Sequence, residues 1–592
     1  MGKQQRFSRR DFLKFGAVGA AGAAAAGIVG CTPSGGATDE AKAASPAMDG
    51  AINSSDAVLK LTDGMPKWSF MIPPEPVPDD QITETVENDI IVVGGGMSGF
   101  TTAVSAAEQG AKVTLFSAAS APISRGGSNY AKNSKVMEEL GIEPFDPVPF
   151  YYHEMRAASF AVDQQKWMRG YNESEEAMNW MIDIARESGL QVIMERDNTF
   201  DLGPNYAHAF STEGNSAMVS TGQQGAVEAL EAKAQKLGVE IIYDTKAEQL
   251  IREDDNKGRV TGVIASKMAD GSYVKFVAKQ AVVLATGDFS KNPDMMAKYS
   301  PWAWEHFKDA LSFGDVDYDA ELVYSGLMPG DGQKMGLWVG AAWQKTYPVP
   351  PMINGGASGP AHGVISNFWG LNMDIHGERY QNECTNFAYG AISVLQLPQK
   401  TAYAVWDKAY AYTQDEWEQF GCCIDHENGI MPLTPDEVIA SWDKNAEGGK
   451  ESIGTGATYY KADTIEELVK QMDGIDQEQA LATIKQYNEY AEQGLDEQFH
   501  VNPEILFPIS TPPFYATKIT GATFLTVCGG LRTDENMQVC DENDTPIEGL
   551  YNTGIMTGDF YANTYNFVMP GQNLGAVCGT LSYLLGRDLA AL

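Results

Sequence analysis

The stretch "DIIVVGGGMSGFTTA", residues 89–103, decides the fold of this chain. Its first part, Ile90 to Val93, is a short apolar run rich in β-branched residues, which is typical of a buried parallel strand. The spacing G-x-G-x-x-G follows directly. Gly94 suits the tight turn, Gly96 lets a pyrophosphate approach the backbone, and Gly99 lets the next helix pack on the strand. This context predicts a dinucleotide-binding βαβ unit.

The helix of this unit is predicted from Met97 to about Gln109, with its first N–H groups, near Ser98, directed at the phosphates. A second strand is predicted from Lys112 to Phe116 and completes the unit. Dinucleotide sites usually have an acidic residue at the end of that strand, for the ribose hydroxyls, but here it is Ser117. NADP is an alternative to FAD at this point, yet no arginine stands at this position to meet a 2′-phosphate.

Several later segments favour FAD. One follows the second strand, another is a buried strand that ends in Ala-Thr-Gly, a third is a Gly-Asp-Gly turn before a helix, and the last two form a final strand, turn and helix. That last helix directs its positive N-terminal end at the flavin. The segments are "SRGGSNYA" (124–131), "AVVLATGDFSKNPDMM" (281–296), "MPGDGQKMGLWVGA" (328–341), "GLYNTGIMTG" (549–558) and "MPGQNLGAVCGTLSYLLGR" (569–587).

In their order, and together with "GERYQNE" (377–383), these segments resemble the FAD-binding subunits of the fumarate reductase, urocanate reductase and 3-ketosteroid dehydrogenase superfamily. The resemblance implies an α/β fold: a Rossmann-like, doubly wound FAD-binding domain with an inserted α+β capping domain. It places the FAD-binding domain at 83–344 and 506–592 and the capping, substrate-binding domain at 345–505. The substrate is expected between the two, against the flavin.

The cofactor-binding residues that the motifs and the resemblance predict come from every one of these segments. They are Gly94, Gly96, Met97, Ser98, Gly99, Ser117, Ser128, Asn129, Ala247, Ala285, Thr286, Gly287, Asp331, Gly554, Asn573 and Leu574.

The charged groups with which fumarate reductases bind two carboxylates and supply a proton are missing at the matching positions. Tyr347-Pro348 stands for a His-Pro pair, Phe387 for the proton-donating arginine, and Thr526 for a second histidine. The last arginine falls near 567–569, and the relay residues fall near Gly363 and Ser366. A buried carboxylate without a cationic partner costs several kcal/mol of desolvation. Fumarate and other small dicarboxylates are therefore disfavoured as substrates.

Aromatic residues stand where that charge is missing. A pocket that contains Tyr347, Phe387, Tyr389, Tyr561 and Tyr565 suits an uncharged or aromatic, flat substrate. We predict Phe387, Tyr389, Tyr561 and also Thr526 as substrate-binding residues.

The resemblance implies a reaction in which flavin N5 delivers a hydride to an activated C=C bond and an acid protonates the neighbouring carbon. The candidates for this acid are Tyr565, Tyr347 and His362, the last in "GPAHGV". The expected activity is that of an FAD-dependent reductase acting on CH–CH groups. Two alternatives stay open: a 3-ketosteroid-type dehydrogenase running in the opposite direction, and a flavin-binding lipoprotein without catalysis.

The N-terminus resembles an export signal. Arg9 and Arg10 lie in "SRRDFLK", a short Ala-rich run follows, and "IVGC" ends at Cys31 like a lipobox. We expect a twin-arginine, lipoprotein signal at 1–31, with Cys31 lipidated, and a flexible tether at 32–82. Export after folding suits a protein that holds a cofactor. The expected location is the outer face of the cell membrane, held by the lipid anchor, or the periplasm.

Composition limits the partners. The formal net charge of −37 over 592 residues argues against nucleic-acid binding. None of the seven cysteines shows C-x-x-C spacing, so no iron–sulfur, haem or other metal site is expected. The chain has no second nucleotide motif. We therefore expect electrons from a membrane-bound, quinol-linked cytochrome or flavoprotein in anaerobic respiration, and a small molecule as the substrate.

Overall fold

The structure is a computed structural model, and it describes residues 68–592 apart from several internal gaps. Those gaps are 145, 200–202, 212–221, 310, 312–314, 321–325, 351, 354–369, 386, 414–433, 449–456, 566–567 and 570. The predicted signal and residues 32–67, more than two thirds of the predicted tether, therefore lie outside the described residues. In the part that is described, no helix combines the length and the apolar character needed to cross a bilayer.

Sixteen strands are defined in the described part of the chain. They are β1 (Ile82–Val93), β2 (Val113–Phe116), β3 (Gln191–Thr199), β4 (Gly203–Ser211), β5 (Glu240–Ile242), β6 (Thr245–Arg252), β7 (Val260–Lys267), β8 (Tyr273–Leu284), β9 (Met352–Ile353), β10 (Leu371–Asp374), β11 (Thr401–Asp407), β12 (Thr458–Ala462), β13 (Phe514–Thr520), β14 (Thr523–Phe524), β15 (Gln538–Cys540) and β16 (Pro546–Asn552).

The helices of the same residues are α1 (Met97–Glu108), α2 (Lys135–Leu140), α3 (Pro147–Ala157), α4 (Gln164–Asn172), α5 (Ser174–Glu187), α6 (Gly222–Lys236), α7 (Pro293–Tyr299), α8 (Pro301–Phe307), α9 (Asp331–Trp338), α10 (Phe387–Gln396), α11 (Pro435–Gly448), α12 (Ile465–Gln471), α13 (Gln477–Gln493) and α14 (Leu581–Leu589). A π-helical segment, Asn573–Thr580, leads directly into α14. Glu253–Asn256 and several three-residue segments are single helical turns.

An eight-stranded sheet organises the larger part of the molecule. Its order is β15-β16-β8-β1-β2-β5, with β16, β8, β1, β2 and β5 parallel to their neighbours. β15 pairs antiparallel with β16, and the β6–β7 hairpin joins the outer half of β8. Because β1 is central and the chain winds outward from it in both directions, this is the doubly wound arrangement. The predicted α/β fold is confirmed.

Helices and strands cover both faces of this sheet, as parallel sheets require. Alternate residues of β1 point to opposite sides. Ile90 and Val92 pack into a core with α1, α5, α6 and α14. Ile91 and Val93 pack into a second core that contains β6, β7 and α9. All four side chains are at most 3% exposed, which agrees with the strand predicted from this apolar run.

Local capping sets where several helices begin and end. Ser134 Oγ accepts from Met137 N at the start of α2, and Asp163 Oδ1 accepts from Gln165 N and Lys166 N at the start of α4. Asp476 caps α13 in the same way, and Gly494 ends that helix in the left-handed conformation.

A separate antiparallel sheet, the second sheet, has the strand order β10-β11-β13-β12. It forms a third, smaller core together with α11, α12 and α13. The large buried side chains of this core include Trp406, Trp442 and Tyr515. The sheet takes β13 from beyond residue 505, where the sequence places the domain boundary. The boundaries at 345 and 505 stay predictions.

Candidate active site

The carboxyl ends of five parallel strands, β16, β8, β1, β2 and β5, meet at one edge of the large sheet. Their backbones are linked there by Gly94 N to Phe116 O (2.8 Å), Ser117 N to Ile242 O (2.9 Å), Ala285 N to Val93 O (2.8 Å) and Thr553 N to Leu284 O (2.9 Å). Ligands of open α/β sheets bind outside this edge, where the strand order reverses. The predicted cofactor residues that follow β1, β2, β8 and β16 therefore lie at one place.

The glycine loop between β1 and α1 is shaped for a close ligand. Gly94 has φ +120°, and a Cβ there would lie 2.3 Å from Ala285 O. A Cβ on Gly99 would lie 2.0 Å from Gly94 O, so helix and strand pack too closely for any side chain. Gly96 differs, since its Cβ would meet only Ile123 O at 3.5 Å. No side chain caps α1, which leaves the first N–H groups, at Met97 and Ser98, available for a phosphate.

A second helix start faces the same place. The backbone of Tyr130 donates to Gly571 O at 3.0 Å, which holds Ser128 and Asn129 against the turn before the π-helical segment. A Cβ on Gly571 would lie 2.3 Å from Ser128 C. Next along the chain, Asn573 Oδ1 is buried and has no hydrogen-bond partner among the described residues.

The remaining predicted cofactor residues border the same edge. Ser117 O accepts from Thr245 N at 2.8 Å, so the start of β6 lies next to Ser117. Ala247 is the third residue of β6. Thr286 Oγ1 accepts from Gly332 N at the start of α9. In contrast, Asp331 already accepts from Tyr318 Oη and pairs with Lys334.

Three further predicted residues make close contacts, one of them with Ser98 at the start of α1. A Cβ on Gly554 would lie 2.4 Å from Ser98 Oγ, and Gly287 turns at φ +82° beneath Met328. Leu574 covers Gly126, whose Cβ would lie 2.9 Å from Leu574 Cδ1. The side-chain-free loop, two uncapped helix starts and the orphaned Asn573 oxygen together fit a dinucleotide cofactor with two ends.

Two buried polar side chains beneath this site, Glu195 and His208, are not among the predicted site residues. Ser128 Oγ donates to Glu195 Oε2 at 2.6 Å, and Glu195 is fully buried. His208 Nδ1 donates to Asn129 O at 3.1 Å, while its Nε2 accepts from Ser134 Oγ at 2.7 Å. Burial lowers the pKa of His208 to about 4, so the imidazole is neutral. These contacts come from the β3–β4 hairpin, and no sequence motif marks them.

Two phenols, Tyr561 and Tyr565, and two thiols form a buried cluster. The rings of Tyr561 and Tyr565 lie 4.8 Å apart at 40°. Burial raises the pKa of both phenols, and the thiols of Cys528 and Cys578 raise the pKa of each further. An interaction with the backbone of Asn573 lowers the pKa of Tyr565, which places that phenol beside the cofactor-binding helix start. All four side chains are hydrogen-bond donors that stay neutral.

A buried carboxylate fixes the neighbouring loop. Asp288 Oδ2 accepts from Thr526 Oγ1 (2.8 Å) and Val527 N (3.0 Å), and Oδ1 accepts from Met328 N (3.0 Å). Burial raises the pKa of Asp288, and these hydrogen bonds offset part of that effect. The hydroxyl of Thr526, predicted to bind substrate, is thus committed to Asp288 as a donor.

Arg125 is a cation in this region that is not among the predicted site residues. Its guanidinium donates to Ala320 O, and burial lowers its pKa while the carboxylates of Asp288 and Asp317 raise it. Its charge is therefore compensated by protein groups.

Of the other predicted site residues, Tyr347 is 67% exposed and is therefore not part of this buried cluster. Phe387 and Tyr389 lie in the first turn of α10, but their side chains are outside the described residues, as is all of His362. Among described residues, no group of histidine, cysteine, aspartate or glutamate side chains is arranged to hold a metal ion.

The fold and the site define a dinucleotide-binding flavoprotein. The model of the FAD binding domain family matches residues 89–566, and the chain belongs to this family. Its cofactor is FAD.

Known relatives narrow the class of enzyme. The chain is 27% identical to vinyl phenol reductase of Lactiplantibacillus plantarum over 82% of this chain and 93% of that protein. It is 23% identical to digoxin reductase of Eggerthella lenta over 96% and 94%. It is 24% identical to fumarate reductase (cytochrome) of Shewanella frigidimarina over 79% and 72%.

Solved structures support the same fold. A 3-ketosteroid-Δ4-(5α)-dehydrogenase from Rhodococcus jostii aligns with a TM-score of 0.64 at 22% identity, covering 87% of this chain and 99% of that one. The open form of a flavocytochrome c3 fumarate reductase aligns with a TM-score of 0.57 at 20% identity, covering 89% and 82%. The chain is an FAD-dependent oxidoreductase acting on CH–CH groups, as the sequence predicted.

Proposed function

We propose that this enzyme is an exported reductase that saturates an activated C=C bond in an uncharged or aromatic substrate. The observation that carries the proposal is the neutral cluster of Tyr561, Tyr565, Cys528 and Cys578. Burial raises the pKa of both phenols and the two thiols raise it further, so all four side chains of this cluster stay neutral.

A substrate carboxylate would be unfavourable in this surrounding. It would lose its hydration and have only neutral phenols and thiols of this cluster as neighbours among the described residues, at a cost of several kcal/mol. A flat, uncharged alkene loses little hydration and stacks on the two rings. The name of the relative from L. plantarum, vinyl phenol reductase, describes a substrate of this kind.

Bound FAD supplies the hydride for this reaction. The chain itself must orient the alkene and hold a proton for the second carbon. Tyr565 is the best placed candidate for that proton, because it lies beside the cofactor-binding helix start and next to Tyr561. Burial raises its pKa, so the phenol keeps its proton at neutral pH.

A matched pair of substrates tests this proposal. The holoenzyme is reduced anaerobically with light and mixed with a hydroxystyrene or with the hydroxycinnamate that carries the same ring and one carboxylate. We expect the uncharged alkene to reoxidise the flavin at least about tenfold faster, a difference of ~1.4 kcal/mol. Equal or faster reoxidation by the cinnamate, or by fumarate, would contradict the proposal.

The proton donor is tested in the same assay. Tyr565→Phe should slow reoxidation at least about tenfold, while Tyr412→Phe, at a phenol that is 61% exposed, should not. An unchanged rate in Tyr565→Phe would remove Tyr565 from this role.

The dehydrogenase alternative predicts the opposite direction. Oxidised enzyme would then be bleached by a saturated 3-ketosteroid, and reduced enzyme would not react with the hydroxystyrene. The non-catalytic alternative predicts that reduced flavin survives both treatments.

We also propose that the chain is exported by its twin-arginine signal and held at the outer membrane face through lipidated Cys31. A membrane-bound, quinol-linked cytochrome or flavoprotein would then supply electrons in anaerobic respiration. Replacing Arg9 and Arg10 by lysine should keep the protein in the cytoplasm, and Cys31→Ser should release it from the membrane fraction. Unchanged fractionation of both variants would contradict this part.

A further inference from the structure

A small cavity is lined by Tyr561 but not by Tyr565. Its other walls come from α3, from residues near the start of α4 and from the C-terminal part of the chain, and include Glu154, Trp167, Thr564 and Gln572. The space for the centre of a water molecule is about 10 Å³. One water needs a volume of roughly this size together with two or more polar partners.

The polar groups around this cavity suit one water. Thr564 Oγ1 is buried and has no hydrogen-bond partner in the described part of the chain. Gln572 is 5% exposed, and the side chain of Glu154 is 11% exposed. Buried polar groups of this kind are normally satisfied by protein or by ordered water.

The cavity has a reactive side and a solvent side. On the reactive side, the rings of Tyr561 and Tyr565 lie 4.8 Å apart, and the buried hydroxyl of Tyr561 has no hydrogen-bond partner among the described residues. On the solvent side, Glu154 Oε1 lies 3.9 Å from His153 Nδ1, and the side chain of His153 is 30% exposed. Glu154 and Tyr561 both line the cavity, and Glu154 is the last of the groups that raise the pKa of that phenol, after burial, Tyr565 and the two thiols.

We propose that Glu154, a single water in this cavity and Tyr561 form the route by which solvent protons reach Tyr565. The proposal rests on the proposed function, in which Tyr565 protonates the substrate. It adds residues from α3, to which neither the sequence motifs nor the family resemblance gave a role.

The route conserves protons at each step. Tyr565 gives its proton to the substrate carbon and becomes a phenolate. The hydroxyl of Tyr561 gives a proton to that phenolate, the water gives one to Tyr561, and the protonated carboxyl of Glu154 gives one to the water. Glu154 is then reprotonated from solvent beside His153. The net change is one proton moved from solvent to Tyr565, with no electron transferred.

A comparison of single and repeated turnover tests the route. Reduced holoenzyme already carries the proton on Tyr565, so the first reoxidation by a hydroxystyrene needs no resupply. Glu154→Gln should leave that first reoxidation within about twofold of the parent. Steady-state turnover of this variant and of Tyr561→Phe with an artificial electron donor should fall at least fivefold and show a larger solvent isotope effect. A purely structural role would slow both phases together.

Rescue provides a second readout. Glu154→Ala opens space beside the cavity, and formate should restore at least half of the steady-state rate, whereas chloride at the same ionic strength should not. The control is Glu138→Gln, at an exposed carboxylate on α2. FAD content and melting temperature are measured for every variant.

The outcomes separate this proposal from the one on which it rests. Unchanged steady-state turnover in both Glu154→Gln and Tyr561→Phe overturns the route, and so does equal slowing of first and later turnovers in Glu154→Gln. If instead Tyr565→Phe reoxidises at the parent rate, the assignment of Tyr565 in the proposed function fails.

Discussion

The carbonyl oxygen of Ala285 lies 2.3 Å from the point where a Cβ on Gly94 would stand. Gly94 follows β1 and Ala285 follows β8, and these two strands are parallel neighbours. Their ends are joined by the hydrogen bond from Ala285 N to Val93 O, the residue before Gly94. The backbone at this edge is therefore too close for any side chain, and Gly94 also has φ +120°, where L residues are strained.

We predict that Gly94→Ala abolishes FAD retention, because the new methyl must push β1 and β8 apart at the cofactor edge. The measurement is the ratio of flavin to protein after purification and denaturation. Gly110→Ala is the matched control, since Gly110 also has positive φ (+95°) but nothing lies within 4 Å of its Cβ position. It should lose stability by about 1 kcal/mol and keep its flavin. Full FAD occupancy in Gly94→Ala would contradict the close approach.

This half of the molecule was predictable because its signals are local. A buried apolar strand, a glycine loop and a helix are adjacent in sequence, so Ile90 to Gly99 specify both the βαβ unit and its ligand. The predicted helix from Met97 and the strand that ends at Phe116 are confirmed, with ends that differ by one residue at most.

The substrate side was less predictable because it depends on contacts between distant segments. Glu154 and Tyr561 line one cavity although they belong to α3 and to the C-terminal segment. Asp288 and Thr526 likewise meet only after folding. No spacing rule connects such pairs. The second sheet likewise joins segments that are far apart in sequence, since β13 pairs with β11 and with β12.

The second prediction concerns pH and His208. Burial lowers its pKa to about 4, whereas an unfolded histidine titrates near 6.5. Between these values the unfolded chain binds a proton that the folded chain does not, so the free energy of unfolding falls as the pH falls. The expected loss from pH 7 to pH 4 is about 3 kcal/mol.

His208→Gln should remove this part of the acid sensitivity while keeping groups that bond to Asn129 O and Ser134 Oγ. The measurement is the difference in unfolding free energy between parent and variant at several pH values, with flavin release followed in parallel. His376→Gln, at an exposed histidine, is the control. Parallel pH curves for the parent and His208→Gln would show that His208 does not titrate as described.

The third prediction concerns Lys166, which is fully buried on α4. Its ammonium donates to Gly558 O (2.7 Å), Thr533 Oγ1 (3.0 Å) and Thr533 O (3.1 Å). Lys166→Met fills a similar volume but leaves these acceptors without a donor, at a cost of about 3 kcal/mol. A melting curve followed by flavin release measures the loss. Lys236→Met, at an exposed lysine of α6, should change stability by less than about 0.5 kcal/mol.

The loss in Lys166→Met should extend to the site. Gly558 precedes Asp559, whose carboxylate accepts from Lys345 N and Thr346 N. Thr557 N, next to Gly558, donates to the carbonyl of the predicted cofactor residue Gly554 at 2.9 Å. Loosening Gly558 should therefore weaken FAD binding as well as stability. A variant that melts lower but keeps the parent affinity for FAD would limit the role of Lys166 to folding.

The last prediction concerns the smaller core, where Arg379 lies between two buried carboxylates. Its guanidinium donates to both oxygens of Glu383 (2.9 and 2.6 Å) and both oxygens of Asp496 (2.9 Å each). All three side chains are at most 1% exposed. Arg379→Met leaves two carboxylates buried without a cation, and we expect a loss of about 3–5 kcal/mol at pH 7.

Fluorescence of Trp406 and Trp442, both in this core, can report its unfolding in urea. The control is Arg186→Met, which removes an equally bidentate contact with Glu139 at side chains that are 42% and 53% exposed, and should cost less than about 1 kcal/mol.

Burial alone raises the pKa of Asp496, but hydrogen bonds from Arg379 and Val501 N outweigh it and lower that pKa to about 2. The stabilisation from Asp496 is therefore complete above pH 4 and is lost as the pH falls toward 2. The gap between Arg379→Met and the parent should narrow over this range, because protonated carboxyl groups no longer need the cation. A gap that stays constant down to pH 2 would show that Arg379 stabilises this core by packing and not by its charge.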